Sequence, residues 1–476
     1  MLFNSFQFLV FFPLVCLIYF MIPRHKWKNL FLLVASYYFY MNWKPVYALL
    51  IFTSTIVTFV CSKYIEKQDS SKGGAKKKRI LAASLIINFS ILFVFKYFNF
   101  VNESVWFFLS GMGIRWNVPN LDILLPVGIS FYTFQAVGYS IDVYRGTIKA
   151  ERSFSTYALF VSFFPQLVAG PIERAKNLLP QFHEEHSFDY NRVVEGLRMM
   201  LWGYFMKSCV ADTVATYVDP VYNNVCEHSG LSFIIATILF TFQIYCDFGG
   251  YSLIARGAAK VMGFNLMENF HRPYLSLSTK EFWKRWHISL SSWFMDYVYI
   301  PLGGNRVKYV RHLTNLFITF LVSGIWHGAN WTFVLWGAWH GAFIIIDNIV
   351  RRIGTFPKNE KWWTKTISII VVFTIVAFGW VFFRANSVQD AFYIIGKIFQ
   401  PASYDGFYYP GGVLSFKVLF ALSLLVAKDI KDELGLGING VHSQYRFVRY
   451  ACYYLIVCWT LYSLLGTPAS FIYFQF

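Results

Sequence analysis

The sequence predicts an all-α polytopic membrane protein, on three observations: its composition, the length of its apolar runs and the placement of its basic residues. Of 476 residues, 56% are hydrophobic, 21% aromatic and only 14% charged, with mean hydropathy +0.45. A soluble domain carries about a quarter charged residues. Runs able to cross about 30 Å of hydrocarbon lie at 2–22, 29–41, 46–61, 80–99, 155–170, 196–216, 231–246, 313–326, 331–350, 366–383, 413–427 and 449–466. By the same length rule, roughly 11–13 transmembrane or re-entrant helices are expected. No long hydrophilic stretch separates the runs, which predicts a single integral domain over 1–476.

The first run has no basic residues before it and no small-residue cleavage site after it, so it is read as a retained helix. Lys and Arg number 42 against 25 acidic residues, a net charge of +17. They cluster between spans, after the first (Arg24, Lys26, Lys28) and after the third (Lys63, Lys67, Lys72, Lys76, Lys77, Lys78, Arg79). Basic loops mark the cytoplasmic side, so the N-terminus is expected outside and 62–79 inside. The charge is accounted for by membrane lipid, and no nucleic acid partner is expected. Seven cysteines are scattered, without CxxC or ligand spacing, and predict neither a metal site nor a disulfide framework.

The run at 313–350 is flanked by Arg306, Lys308, Arg311 and His312 on one side and Arg351 and Arg352 on the other. Both ends therefore read as cytoplasmic, which makes a helical hairpin. GANW, 328–331, supplies the Gly and Asn that a reversal needs. From His312 to His327 the chain climbs about 22 Å, short of a full crossing. His327 is thus sunk within the membrane, where desolvation makes a charged histidine costly. Gly324 and Gly328, spaced as GxxxG, invite close approach of a second backbone. His340, on one continuous helix, would lie about 220° round the axis from His327 and face away.

In EFWKRWHISLSSWFMDYVYIPLGGNR, 281–306, apolar side chains recur at helical spacing from Phe282 to Tyr297, which predicts an amphipathic or re-entrant helix near an interface. His287 joins its apolar face, four residues after Trp283, and Pro301 and Gly303–Gly304 end it. Gln166, Asp247 and Asn269 are polar positions in or beside apolar segments, where polar groups are costly and serve either function or interhelical hydrogen bonding. No internal repeat and no paired charges within spans are evident, which weighs against a transporter.

The blocks FWKRWHISLSSWFMDYVYIPLGG and SGIWHGANWTFVLWGAWHG resemble the membrane-bound O-acyltransferase family, and within it the alginate O-acetylase branch of bacterial polysaccharide acetylation. LPVGISFYTFQAVGYSIDVYRG, FFPQLVAGPIERA, IYCDFGGYSLIARGAAKVMGFNLMENFHRPY and FGWVFFRA are similar to the same branch, so the resemblance covers about 120–385. Two positions depart from the pattern: Gly249 stands where Ser is expected, and Met295 where Arg often precedes the Asp.

The resemblance implies a membrane-bound O-acyltransferase with His327, of the WHG motif, as catalytic base and His287 as a second catalytic position. It implies acetyl-CoA as donor substrate, with no bound cofactor, and acyl transfer across a bacterial cytoplasmic (inner) membrane to an extracytoplasmic polysaccharide. A separate extracytoplasmic SGNH-type acetyltransferase is the expected partner. The chemistry asks for a base on the hydroxyl proton and for donors to the thioester oxygen, and His287, Asn330 and backbone N–H groups at the hairpin turn are candidates for the latter. Trp283 and Trp286 are expected to line the donor tunnel, and Gln166, Asp247 and Asn269 to contact substrate. D-alanyl transfer to teichoic acids from a carrier-protein thioester, peptidoglycan O-acetylation and transport without chemistry are the alternatives.

Overall fold

A computed structural model describes residues 1–68, 74–168, 170–354, 361–400, 416–436, 445–464 and 471–472. Lys72 of the basic loop and the 413–415 and 465–466 ends of two apolar runs lie outside the described residues. The described residues form helices and contain no strand. In order these are α1 (Phe6–Met21), α2 (His25–Met41), α3 (Ala48–Lys67), α4 (Gly74–Leu92), α5 (Phe98–Gly111), α6 (Ile129–Arg145), α7 (Phe154–Ser162), α8 (Phe164–Leu167), α9 (Ala175–Leu178) and α10 (Tyr190–Tyr204). There follow α11 (Asp212–Asn223), α12 (Gly230–Met262), α13 (Thr279–Arg285), α14 (Ile288–Phe294), α15 (Tyr309–His327), α16 (Trp331–Ile353), α17 (Trp362–Arg384), α18 (Val388–Ile398), α19 (Phe416–Glu433) and α20 (Arg446–Leu464).

Each of the twelve apolar runs falls on one or more of these helices. Among the described residues, five stretches are long and apolar enough to cross a membrane: Pro45–Lys67, Gly74–Gly111, Gly230–Met262, Trp331–Ile353 and Trp362–Arg384. Exposed Leu49, Phe52, Ile86, Ile367 and Val371 on these spans present hydrocarbon outward, as a lipid solvent requires. The polytopic helical architecture expected from composition is the one observed.

The chain packs as two compact units, one of Met1–Met200 with Ala255–Met267, the other of Leu201–Ile254 with Glu268–Phe476. In the first, α3 packs against α4, α6 and α7, and α2 against α7. Its contacts are fastened by short polar side chains: Ser54 donates to Asn88 at 2.5 Å and Tyr157 to Thr58 at 2.7 Å. The carbonyl of Phe160 accepts from the side-chain amides of Gln135 (2.8 Å) and Gln166 (2.7 Å).

In the second unit the hairpin falls where the Gly and Asn place it. α15 ends at His327 and α16 starts at Trp331. The expected GxxxG pair is corrected in part: Gly324 meets α16, where an added Cβ would come within 2.3 Å of the Phe333 carbonyl oxygen and 3.1 Å of Gly337 Cα. Gly328 lies past the helix end in extended backbone, beneath the Phe333 ring. The small residue facing Gly324 is therefore Gly337, one helix away.

The expected continuous helix from Phe282 to Tyr297 is also corrected. Ser278 caps α13 by accepting from the Glu281 N–H, and the Glu281 carboxylate accepts from the Leu277 N–H. The helix then breaks at Trp286–His287, because two backbone bonds from a neighbouring loop replace the helical ones. His271 N–H donates to the Arg285 carbonyl and Ile288 N–H donates to the Asn269 carbonyl, both at 2.9 Å. A π-turn, Met295–Tyr299, and the positive-φ glycines Gly303 and Gly304 end the segment.

Candidate active site

His287 sits in the break, in left-handed backbone with φ of 42°, which costs a non-glycine residue of order 1–3 kcal/mol and clusters at functional sites. It is 1% exposed. Its Nδ1 lies 3.1 Å from Asn269 Oδ1. That oxygen also accepts from the Ser289 N–H (3.2 Å) and hydroxyl (2.8 Å), while the Asn269 amide donates to Ser252 on α12 at 3.1 Å. Phe248 meets the His287 ring edge-on at 4.6 Å. Burial pushes the His287 imidazole well below its ordinary value, toward the neutral form.

His327, the last residue of α15, is 3% exposed. Its ring lies 6.4 Å from that of His287 and packs against Trp326 (5.0 Å), Trp336 (4.8 Å) and Phe383 (5.4 Å). Two imidazoles from segments far apart in sequence therefore share one buried aromatic chamber.

His340 does not face away. Its ring is 4.9 Å from Trp336, which in turn packs on His327, and 5.0 Å from Trp283. The 220° estimate applied to a single continuous helix; the reversal at 328–330 places His340 on α16, antiparallel to α15, and turns it back toward the chamber.

Trp283 packs edge-on against Phe320 (5.0 Å) and Trp336 (5.6 Å). It also lines an open cavity of about 910 Å³ bordered by α13–α16 and the segment between α14 and α15. Leu290, Phe294, Leu316, Phe320 and Ser323 continue the wall, and Ser323 stands one helical turn before His327. Lys280, Lys284, Arg351 and Arg352, all exposed, bring four cations to the same cavity. Trp286 lies deeper, against Phe270 (4.9 Å) and Trp380 (5.0 Å).

The remaining expected positions are placed as follows. Asn330 caps α16, accepting from Thr332 N–H at 3.1 Å and donating to the Asn386 carbonyl at 3.2 Å. Gln166 belongs to the first unit, on the Phe160 carbonyl. Asp247 is ion-paired with Lys207 at 2.5 Å, and Lys207 also reaches Asp212 at 2.7 Å. This corrects the reading that spans hold no paired charges: Lys207 and Asp212 lie in the 196–216 run and Asp247 on α12. Asp247 also accepts from the Ile472 N–H at 2.7 Å. The signal in the sequence was Lys207 itself, a cation in an otherwise apolar window that had to find anions.

Ser289, Ser252, Phe248 and Trp336 complete the surroundings of the histidines and carried no signal of their own. Among the described residues, no group of three or more His, Cys, Asp or Glu is placed to hold a metal ion. The arrangement offers uncharged imidazole chemistry beside an apolar cavity with a cationic edge.

Comparison with known proteins gives the family. The model of MBOAT, the membrane-bound O-acyltransferase family, matches residues 148–385. The chain is 39% identical to a probable alginate O-acetylase of Pseudomonas aeruginosa, over 84% of this chain and 75% of that protein. It is 33% identical to a peptidoglycan O-acetyltransferase of Helicobacter pylori, over 83% of this chain and 79% of the relative. It is 27% identical to a teichoic acid D-alanyltransferase of Streptococcus thermophilus, over 71% and 90%.

Proposed function

Because this chain belongs to the membrane-bound O-acyltransferase family, we propose that it moves acetyl from cytoplasmic acetyl-CoA across the bacterial inner membrane for O-acetylation of an extracytoplasmic polysaccharide. The observation that carries the reading is the buried pair His327–His287, with ring centres 6.4 Å apart. An acceptor hydroxyl attacks the thioester carbonyl carbon as His327 takes its proton. The C–S bond then breaks, and the proton passes to the departing thiolate. His287 serves the developing negative charge.

The cavity supports acetyl-CoA as donor. Its volume is in the range of small-molecule sites, its cations Lys280, Lys284 and Arg352, beside an Arg351 paired with Asp347, complement the phosphates of a coenzyme, and its apolar wall leads toward His327 through Ser323 and Trp283. Both ends of the α15–α16 hairpin then lie on the cytoplasmic side, the N-terminus outside, and an SGNH-type transferase receives the acetyl group beyond the membrane.

The experiment is NMR of surface glycans from cells with and without the gene, paired with [14C]acetyl-CoA labelling of membranes. Loss of O-acetyl signals from a polysaccharide is the expected result. An intact glycan with lost D-alanine esters assigns the D-alanyl reaction instead, and a wall that loses only muramic O-acetyl groups assigns the peptidoglycan reaction. Near wild-type labelling by His327→Ala membranes removes the base.

A further inference from the structure

We propose that Asn269 is a positioning residue that fixes His287 in its Nδ1–H tautomer and keeps that imidazole uncharged during acyl transfer. The proposal rests on the reading above, in which His287 serves the reaction.

The argument begins with a group that has no choice. The Ser289 backbone N–H can only donate, and it lies 3.2 Å from the Asn269 side chain. The atom it meets must therefore be the amide oxygen, and the Asn269 NH2 must be the group that reaches Ser252 at 3.1 Å. Turning the amide over would set NH2 against N–H. An amide oxygen carries no proton, so His287 Nδ1, 3.1 Å from it, must be the donor. A neutral imidazole has one N–H, which leaves the lone pair on Nε2.

The backbone of Asn269 acts with its side chain. Its carbonyl accepts the Ile288 N–H at 2.9 Å, so the same residue holds the ring at Nδ1 and the chain at the next peptide. This brackets the left-handed backbone of His287, which the α13–α14 sequence does not itself demand. Histidines that are to carry a proton usually meet a carboxylate at this nitrogen. Here an uncharged amide takes that place. It orients the ring without a counter-charge for an imidazolium.

The other groups around His287 agree. The titratable ring facing it is His327 on α15, at 6.4 Å, and Phe248 of α12, Phe270 and Trp326 supply apolar rings. Asp247, which precedes Phe248 on α12, is held by Lys207, and the same Lys207 ammonium also binds Asp212. Burial already holds the imidazole far toward its neutral form.

The test is the pH profile of [14C]acetyl transfer from acetyl-CoA in native membranes, for Asn269→Asp against wild type. Aspartate keeps the acceptor for Ser289 and His287 but adds a negative charge at Nδ1. It favours the imidazolium, so the acid limb of the profile is expected to move up by about one pH unit or more. In a His287→Ala background the same substitution is expected to move nothing. Asn269→Ala, which loses the oxygen, is expected to lose at least about tenfold in rate at unchanged KM for acetyl-CoA. An Asn269→Asp profile superimposable on wild type, or a shift that persists without His287, overturns the role of Asn269. His287→Ala alone separates the two levels: full transfer by that variant removes the function proposed for His287, whereas its loss alongside an unshifted Asn269→Asp profile overturns only the positioning.

Discussion

His287 and His327 reach one another from opposite local geometries, the first from a break between two short helices and the second from the last residue of a long one, with ring centres 6.4 Å apart. Under the proposed function, two buried imidazoles so placed divide the work of an acyl transfer. His327→Ala is expected to lower acetyl transfer by about 10² to 10⁴. If the rings act as a unit, the His287→Ala/His327→Ala double variant falls no further than the worse single variant. Initial rates of labelled acetyl transfer in membranes, with protein levels matched by immunoblot, decide it. Multiplicative losses would show two independent groups.

The hairpin that presents His327 depends on the absence of a side chain at Gly324. A Cβ there would come within 2.3 Å of the Phe333 carbonyl oxygen, and backbone cannot swing aside as a side-chain tip can. Gly324→Ala is expected to push α15 from α16 and destabilise the protein by about 1–3 kcal/mol. A lowered unfolding temperature in detergent checks this, and an unchanged one shows that the helices separate freely.

Much of this was legible in the sequence. Apolar run length located helices across the chain, and the Gly–Asn stretch located the hairpin turn. α6 was not found as a run, because Ser130, Thr133, Gln135 and Ser140 dilute its hydropathy while being buried. A helix enclosed by protein on all sides can hold polar groups that a lipid-facing one cannot. The break at His287 was invisible for a different reason. The spacing from Phe282 to Tyr297 satisfies a helix, and what interrupts it is a pair of backbone bonds from His271 and Asn269. Local pattern carries no record of such tertiary bonds.

The chamber's charged neighbour invites a stability test. Lys207 stands between Asp212 and Asp247, and its own side chain is 2% exposed. Removing one partner from a buried ion group leaves an uncompensated charge, at a cost of about 3–5 kcal/mol. Lys207→Met is expected to abolish accumulation of folded protein or lower its unfolding temperature sharply. Adding Asp247→Asn and Asp212→Asn is expected to recover most of the loss. Failure of the triple variant to recover would mean that Lys207 holds the region by something other than charge.

A second titration lies in the first unit, outside the spans. Burial raises the Glu173 carboxyl to about 7, against the Met267 N–H and the nearby Arg256 and Arg174, which lower it. A folded-state value above the unfolded one stabilises fully below about 4.5 and loses that contribution as pH rises toward 7. Glu173→Gln, which keeps an acceptor and never ionises, is expected to flatten the stability profile over this window and to gain up to about 3 kcal/mol above it. Unfolding temperatures between pH 5 and 8 measure the difference, and parallel profiles for the two proteins would show that the carboxyl titrates alike folded and unfolded.

Trp283 stands where the cavity meets the chamber. Its ring lines the 910 Å³ space on one side and packs on His340 and Trp336 on the other. Under the proposed function, the space left for the acyl group is set by this indole. A pocket wall discriminates by about 1–3 kcal/mol per methylene, so a side chain of this size can hold selection at acetyl against longer chains. Trp283→Ala is expected to raise the ratio of butyryl-CoA to acetyl-CoA use by at least about tenfold, chiefly by admitting the longer chain, while His327 remains in place to act on it. Competing the two labelled thioesters in one membrane preparation measures the ratio directly. An unchanged ratio would mean that the acyl group approaches His327 by a route that Trp283 does not bound.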